Sequence, residues 1–200
     1  MRWNKLFDDL ETQLERELSA EEADLGVEEE RLRLGRLGIR DRLIALHESS
    51  PMGEEDRVSL TLMTGERVAL HPLTFGRDWL TARIVDDRPQ PRQCLIPIAA
   101  ISTITFGSGQ AVRSLEPGVP SAAYPALSER LGFSFVLRDL CRRRHAVNLV
   151  TLAGSIHGTI DRVGRDHIDL AIHEAGSVRR QSAVTETRLV ALSAVALVRL

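Results

Sequence analysis

The sequence predicts an α+β protein, mainly β, in which an acidic helical arm is followed by two small five-stranded barrels, each preceded by a helix. Three observations carry this expectation. Apolar residues recur at three- and four-residue steps near the N-terminus. A block of helix-like and strand-like segments occurs twice in the same order. Within the second block, apolar and polar residues alternate as they do on a half-buried strand.

The arm comes first. Trp3, Leu6, Phe7, Leu10, Leu14 and Leu18 fall on one helix face, and Asp8, Asp9, Glu11, Glu15 and Glu17 fill the rest. Leu18, Leu25, Leu32, Ile39 and Leu46 continue a row seven apart, but the companion row holds Glu21, Glu28 and Gly35, so a regular two-stranded coiled coil is not expected. Gly26, Gly35 and Gly38 weaken one continuous rod, and a break is expected between Leu25 and Gly38. The arm reads first as an amphipathic helix packed on its own body and second as a self-association arm.

The repeat is a series of matched blocks. Arg36-Leu37-Gly38-Ile39 recurs as Arg130-Leu131-Gly132-Phe133, with Leu43 and Leu46 matching Leu137 and Leu140. The stretch from Val58 to Gly65 corresponds to that from Val147 to Gly154. Phe75-Gly76-Arg77-Asp78 corresponds to Val163-Gly164-Arg165-Asp166, and Ile84 to Ile172. Finally, Leu95 to Ile101 matches Leu189 to Val195. Any one block could arise by chance; four in the same order are hard to dismiss.

Strand assignment follows from alternation and propensity. Ile156, Gly158 and Ile160 share one face, and His157, Thr159 and Asp161 the other. Ile168, Leu170 and Ile172 oppose His167, Asp169, Ala171 and His173. Residues 188–200 alone could pass for a helix. Their counterpart contains β-branched Ile96, Ile98, Ile101, Thr103 and Ile104, with Pro97 in a place that suits a turn between short strands. The expected organisation is an arm at 1–35, a first unit at 36–106, a linker at 107–123 rich in Gly, Pro and Ser, and a second unit at 124–200. A sheet this small is expected to close, because an open one exposes its edges.

Composition narrows the function classes. The chain has 200 residues, 43% hydrophobic and 27% charged, enough to bury a core. No apolar stretch approaches the roughly 20 residues of a membrane helix, and the N-terminus does not read as a secretory signal. Cys94 and Cys141 lie far apart, which suggests no disulfide or zinc framework and a reducing, cytoplasmic setting. Residues 1–56 hold 16 acidic against 8 basic residues, and residues 57–200 hold 12 against 18. An acidic arm on a mildly basic body can fold back on it or shield it from nucleic acid. Of 26 basic residues all but Lys5 are arginine, a skew that carries no phosphate-binding role by itself.

On Gly154, Ile156, Gly158, Ile160, Val163, Asp166 and Ile168, with residues 189–198 as two final strands, the second unit resembles an Sm-like domain. Residues 36–106 resemble it more weakly, Leu70 standing where the second unit has Gly158. The whole chain is also similar to actinobacterial proteins that begin Met-Arg-Trp and carry two such units. The resemblance implies a helix followed by a strongly bent five-stranded barrel, and assembly by pairing of edge strands. The asparagine that uridine-binding members carry is replaced by Asp169, or by Thr81 in the first unit, and their arginine-glycine pair by Ala191-Leu192-Ser193. A carboxylate beside an RNA phosphate repels it, so RNA binding of the family's kind is not expected.

Candidate residues are few. Arg142, Arg143, Arg144 and His145 close the second helix, where positive charge suits the helix dipole. With Arg179 and Arg180 they form the candidate nucleic-acid contact, although only eight aromatic residues exist to stack on bases. Trp3, Phe7, Leu10, Leu14 and Trp79 are the candidate protein-interaction residues, Trp79 packing on the acidic helix or the neighbouring unit. His157, His167, His173, Asp161 and Asp169 read as outward polar strand positions rather than a metal set. Phe133, Phe135, Val136, Leu137 and Leu140 make the second helix more apolar than one small barrel requires, implying a further contact. No Walker loop, dinucleotide fingerprint or serine elbow occurs. The sequence therefore predicts a non-enzymatic binding or assembly module with no cofactor and no resident metal, engaging a protein partner or itself through its arm and barrel edges. An RNA-binding regulator using the basic half is the alternative.

Overall fold

A computed structural model describes residues 2–49, 57–86, 92–117, 127–174 and 184–200. The chain divides into two compact units, Met1–Gly38 and Ile39–Leu200.

The first unit is one long helix, α1 (Arg2–Arg36), which ends at the Leu37–Gly38 break. It runs through Gly26 and Gly35, each of which has open space where a Cβ would stand and costs about 1 kcal/mol relative to alanine. Spacing of the kind shown by Glu30 and Arg33, whose side chains pair at 2.6 Å, supports an exposed helix by a few tenths of a kcal/mol. Leu14, Leu18, Leu25 and Leu32 are all exposed. The side chains of Trp3, Phe7 and Leu10 lie outside the described set.

The second unit holds helices α2 (Ile39–Ser49), α3 (Gln110–Arg113), α4 (Leu127–Arg130) and α5 (Phe133–Arg142). Its first five strands are β1 (Val58–Leu62), β2 (Arg67–Phe75), β3 (Trp79–Ile84), β4 (Arg92–Pro97) and β5 (Ile101–Thr105). The remaining five are β6 (Ala146–Thr151), β7 (Gly154–Val163), β8 (His167–Ile172), β9 (Glu186–Ala191) and β10 (Val195–Arg199). They form one antiparallel sheet in the order β5-β1-β2-β3-β4-β10-β6-β7-β8-β9.

Each half of that sheet has the same internal order, its fifth strand lying beside its first. The irregularities recur as well. β2 slips against β3 between Pro72 and Thr74, and β7 slips against β8 between Ile160 and Arg162, which are the matching residues of the repeat. β1 breaks register with β5 at Thr61/Leu62, where β6 and β10 do so at the matching Val195/Leu197 step. A bulge bends its strand and increases local twist. In both halves the fourth strand passes to the fifth through a three-residue 3-10 turn, Ile98–Ala100 or Leu192–Ala194. Flat strands about 4.8 Å apart would hold those two strands roughly 19 Å apart, more than the roughly 10 Å that three residues span. Each half must therefore curl. Gly158 belongs to this bending: a Cβ there would stand 2.3 Å from the Ala171 carbonyl oxygen.

The two halves are not separate pieces, as two free-standing barrels would have been. They merge because β4 and β10, each an outer strand of its own half, satisfy one another's backbone groups. Leu95 pairs with Val198 and Cys94 with Arg199, and the Leu200 N–H donates to the Gln93 carbonyl at 3.0 Å. Two apolar clusters follow, and each borrows across the seam. The first is built on Leu43, Leu60, Leu70 and Ile96 and takes in Val150, Ala196 and Leu197. The second is built on Leu137, Leu149, Ile160 and Ile168 and takes in Trp79 and Leu95.

The expected linker is only partly a linker. Residues 107–117 are described and pack down: the Gln110 amide receives a hydrogen bond from the Gly107 N–H and donates to the Arg57 carbonyl at 2.9 Å. Arg42 of α2 donates to Ser114 Oγ at 2.8 Å and lies 4.9 Å from the centre of the Phe106 ring. The polar side chains of Gln110 and Ser114 supply local bonds that composition alone did not reveal. Residues 118–123 lie outside the described set.

Candidate interaction surface

The seam between the halves is the most elaborately built place in the second unit. Its strand register is short, so a loop and a helix end complete it. The β2–β3 turn, Gly76-Arg77-Asp78, approaches the N-terminus of α5. Asp78 Oδ1 accepts the Phe133 N–H at 2.7 Å, satisfying one of the amides that a helix start leaves unpaired. The Arg77 N–H and Trp79 Nε1–H both donate to the Leu131 carbonyl, at 3.0 and 2.9 Å. The Trp79 ring lies over Gly76, where a Cβ would come within 2.1 Å of it. Trp79, Leu95 and Phe133 are all buried in the second cluster. Trp79 thus packs on the neighbouring half, one of its two expected roles; of the apolar residues of α5, Phe133 joins it there, whereas Phe135 remains 50% exposed. An ion pair between Arg199 and Glu66 also crosses the seam.

The same turn exists in the second half but has nothing described against it. Gly164 N–H bonds the His167 carbonyl at 2.8 Å, as Gly76 N–H bonds that of Trp79. Leu192 N–H bonds the Asp166 carbonyl at 2.8 Å, as Ile98 N–H bonds that of Asp78 at 2.9 Å. The Asp166 side chain is 85% exposed and bonds only locally, to His167 Nδ1 at 2.8 Å. That hydrogen bond holds its carboxyl below the usual carboxylate range. Among the described residues the sheet ends at β5 and β9.

The arginine group is brought together, its three guanidiniums paired with two carboxylates. Asp139 pairs with Arg142 at 2.5 Å and Arg143 at 2.6 Å, and Asp161 pairs with Arg144 at 2.8 Å. Partial desolvation acts to raise the Asp139 carboxyl, but the Arg142 and Arg143 guanidiniums outweigh it and hold it low. Arg144, at φ 54°, is the left-handed residue that ends α5: its N–H reaches the Cys141 carbonyl and the His145 N–H that of Leu140, both at 3.1 Å. Arg179 and Arg180 lie outside the described residues.

The histidines and aspartates of the second half do not form one set. His173, just past the end of β8, is buried rather than outward. Its Nε2 meets Thr159 Oγ1 at 2.9 Å, its Nδ1 meets the Glu174 carbonyl at 3.1 Å, and its ring centre is 5.3 Å from that of His157. Burial, then the charge of His173, push the His157 imidazole below its ordinary value. His167 and Asp161 are engaged elsewhere. Among the described residues no group of three or more metal-ligating side chains converges. The Cys141 thiol donates to the Asp161 carbonyl at 3.3 Å.

Sequence reasoning identified Trp79 but missed Asp78 and Leu189. The signal for Asp78 was its place in a repeated Gly-Arg-Asp turn, which the repeat revealed without saying what the carboxylate meets. Among the described residues no helix is long and apolar enough to cross a membrane. No protein-family model matches the chain, and no curated protein or solved structure is significantly similar to it.

Proposed function

We propose that this chain is a non-enzymatic binding and assembly protein, built of two Sm-like units, that engages a protein partner by strand addition at its open sheet edges and through its helical arm. One observation carries the reading: β4 is already sealed by β10 in the middle of the sheet, while β5 and β9 end it. An unpaired edge is a template for another strand. β9 is also unusual as an outer strand, since Leu189 is 68% exposed on it. The curled five-strand order of each half, with its 3-10 turn, supports the Sm-like reading. The Asp139 and Asp161 carboxylates beside Arg142, Arg143 and Arg144 weigh against the RNA alternative, because they repel a phosphate that approaches the arginines.

A photo-crosslinking side chain at position 189 of the full chain tests the reading in extracts with and without nuclease. A protein adduct at 189, absent when the probe stands at the exposed turn residue Leu152, is the expected result. An adduct lost with nuclease would turn the assignment to RNA, and no adduct would overturn edge recognition at β9.

A further inference from the structure

A cleft of about 450 Å³ opens where β1 begins and β5 ends, against α3. Ser59 and Thr105 stand directly opposite one another on those strands, so both short hydroxyls share its wall. In the second half the matching pair is Asn148 opposite Arg199, and Arg199 reaches Glu66 of the first half. The shorter Ser59 and Thr105 leave the corresponding space open. Arg57, Arg113 and Ser108 complete the polar lining, and among the described residues no carboxylate lines it. The Arg57 guanidinium and the hydroxyls of Ser59, Thr105 and Ser108 bond no described residue. The walls are nonetheless held in place. Gln110, 4% exposed, accepts the Gly107 N–H and donates to the Arg57 carbonyl at 2.9 Å, tying the start of β1 to the segment after β5. Gly109, at φ 79°, turns the chain into α3. A backbone fixed in this way loses little freedom when a ligand enters.

We infer that this cleft binds a small phosphorylated sugar or polyol, its phosphate on Arg57 and Arg113 and its hydroxyls on Ser59, Thr105 and Ser108. Two cations with no carboxylate beside them suit a dianion, and a phosphomonoester carries a charge of about −1.5 to −2 at pH 7. Each guanidinium presents its donors in a fork that phosphate oxygens match. The cleft has room for more than a phosphate and falls within the roughly 300–1,000 Å³ of small-molecule sites. Hydroxyls rather than apolar groups line the remainder, so the body of the ligand is itself hydroxylated. A stacked nucleobase fits less well. Phe106 is the one aromatic ring among the described lining residues, and Arg42 already lies 4.9 Å from its centre. The site is independent of what pairs with the sheet edges.

Isothermal titration of the full chain, in a buffer free of phosphate, tests the site with inorganic phosphate and ribose 5-phosphate as probes. One ribose 5-phosphate per chain should bind, more tightly than inorganic phosphate, and unphosphorylated ribose should not. Binding should weaken as pH falls below about 6, where the phosphomonoester takes up a proton. Arg57→Gln and Thr105→Glu, both at exposed positions, should each weaken it about tenfold or more. That is the size expected when a charge-assisted hydrogen bond is lost or a carboxylate is set against the phosphate. Arg83→Gln, at an exposed arginine outside the cleft, should leave binding unchanged. No saturable binding of either probe would overturn the inference, as would binding that survives both variants. Acetate that displaces ribose 5-phosphate at equal concentration would overturn the phosphoryl assignment. An RNA oligonucleotide that binds in a manner sensitive to Arg57→Gln, where ribose 5-phosphate does not bind, would overturn the small ligand.

Discussion

Asp78 and Phe133, on opposite sides of the central seam, are joined by a 2.7 Å hydrogen bond from a helix-start amide to a carboxylate. The bond does two things at once: it caps the start of a helix and fixes one half of the sheet against the other. Asp78→Ala should destabilise the fold by about 1 kcal/mol, as loss of a helix cap does. Asp78→Asn should retain most of that stability, because an amide oxygen still accepts the bond. Urea-denaturation midpoints of the two variants make the comparison.

Trp79 separates packing from polarity at the same seam. Trp79→Ala removes a buried ring and should cost about 3–5 kcal/mol. Trp79→Phe keeps most of the apolar contact but loses the donor to the Leu131 carbonyl, which still receives the Arg77 N–H. It should cost about 1–2 kcal/mol, for lost volume and one hydrogen bond. Thermal unfolding of both variants beside wild type checks the order.

Cys94 lies on β4 at the seam, and burial pushes its thiol up to about 12, only partly offset by a backbone hydrogen bond from Ala82 and by the nearby Arg199 and Arg92. The native state therefore holds the proton more tightly than the unfolded chain. The stability this contributes is present below pH 9.0, the ordinary value for the thiol, and is lost as pH rises from there toward 12. Cys94→Ala should flatten that alkaline loss. At neutral pH iodoacetamide should label half-buried Cys141 and leave Cys94 unmodified until the fold opens, which mass spectrometry of the labelled peptides would show.

Arg144 combines a left-handed backbone with an ion pair to Asp161. Arg144→Gly relieves about 1 kcal/mol of backbone cost and loses an exposed pair worth about 0.5 kcal/mol, so stability should change little. Arg144→Ala loses the pair and keeps the strain. The glycine variant should therefore be the more stable of the two by about 1 kcal/mol in chemical denaturation.

Repetition made the strand blocks legible in the sequence, because the matched segments map onto matched strands with matched bulges. A helix break was legible only as lying between Leu25 and Gly38, because Gly26 and Gly35 weaken a helix as Gly38 does yet α1 runs through both, and the turn at Pro97 was legible from its fixed φ. The fusion of the halves was not legible. It depends on pairing between Leu95 and Val198, and strand partners leave no local mark when both strands are uniformly apolar. Likewise, alternation placed His173 outward, but period-two reasoning assigns a face and not what later covers it. Asp78 was visible as part of a repeated turn, and its function was invisible because Phe133 lies far along the chain.

The three-residue turns joining fourth to fifth strands bear on how the molecule is made. β6 can meet β10, and β1 can meet β5, once each half has been synthesised, whereas Val198 finds Leu95 only across half the chain. Closing the longer loop carries the larger entropic cost. Each half should thus collapse on its own account during folding, with the central join as a late event. Until that join forms, Leu95 and Leu189 are chemically alike, and an incoming β10 from another molecule competes for the same berth.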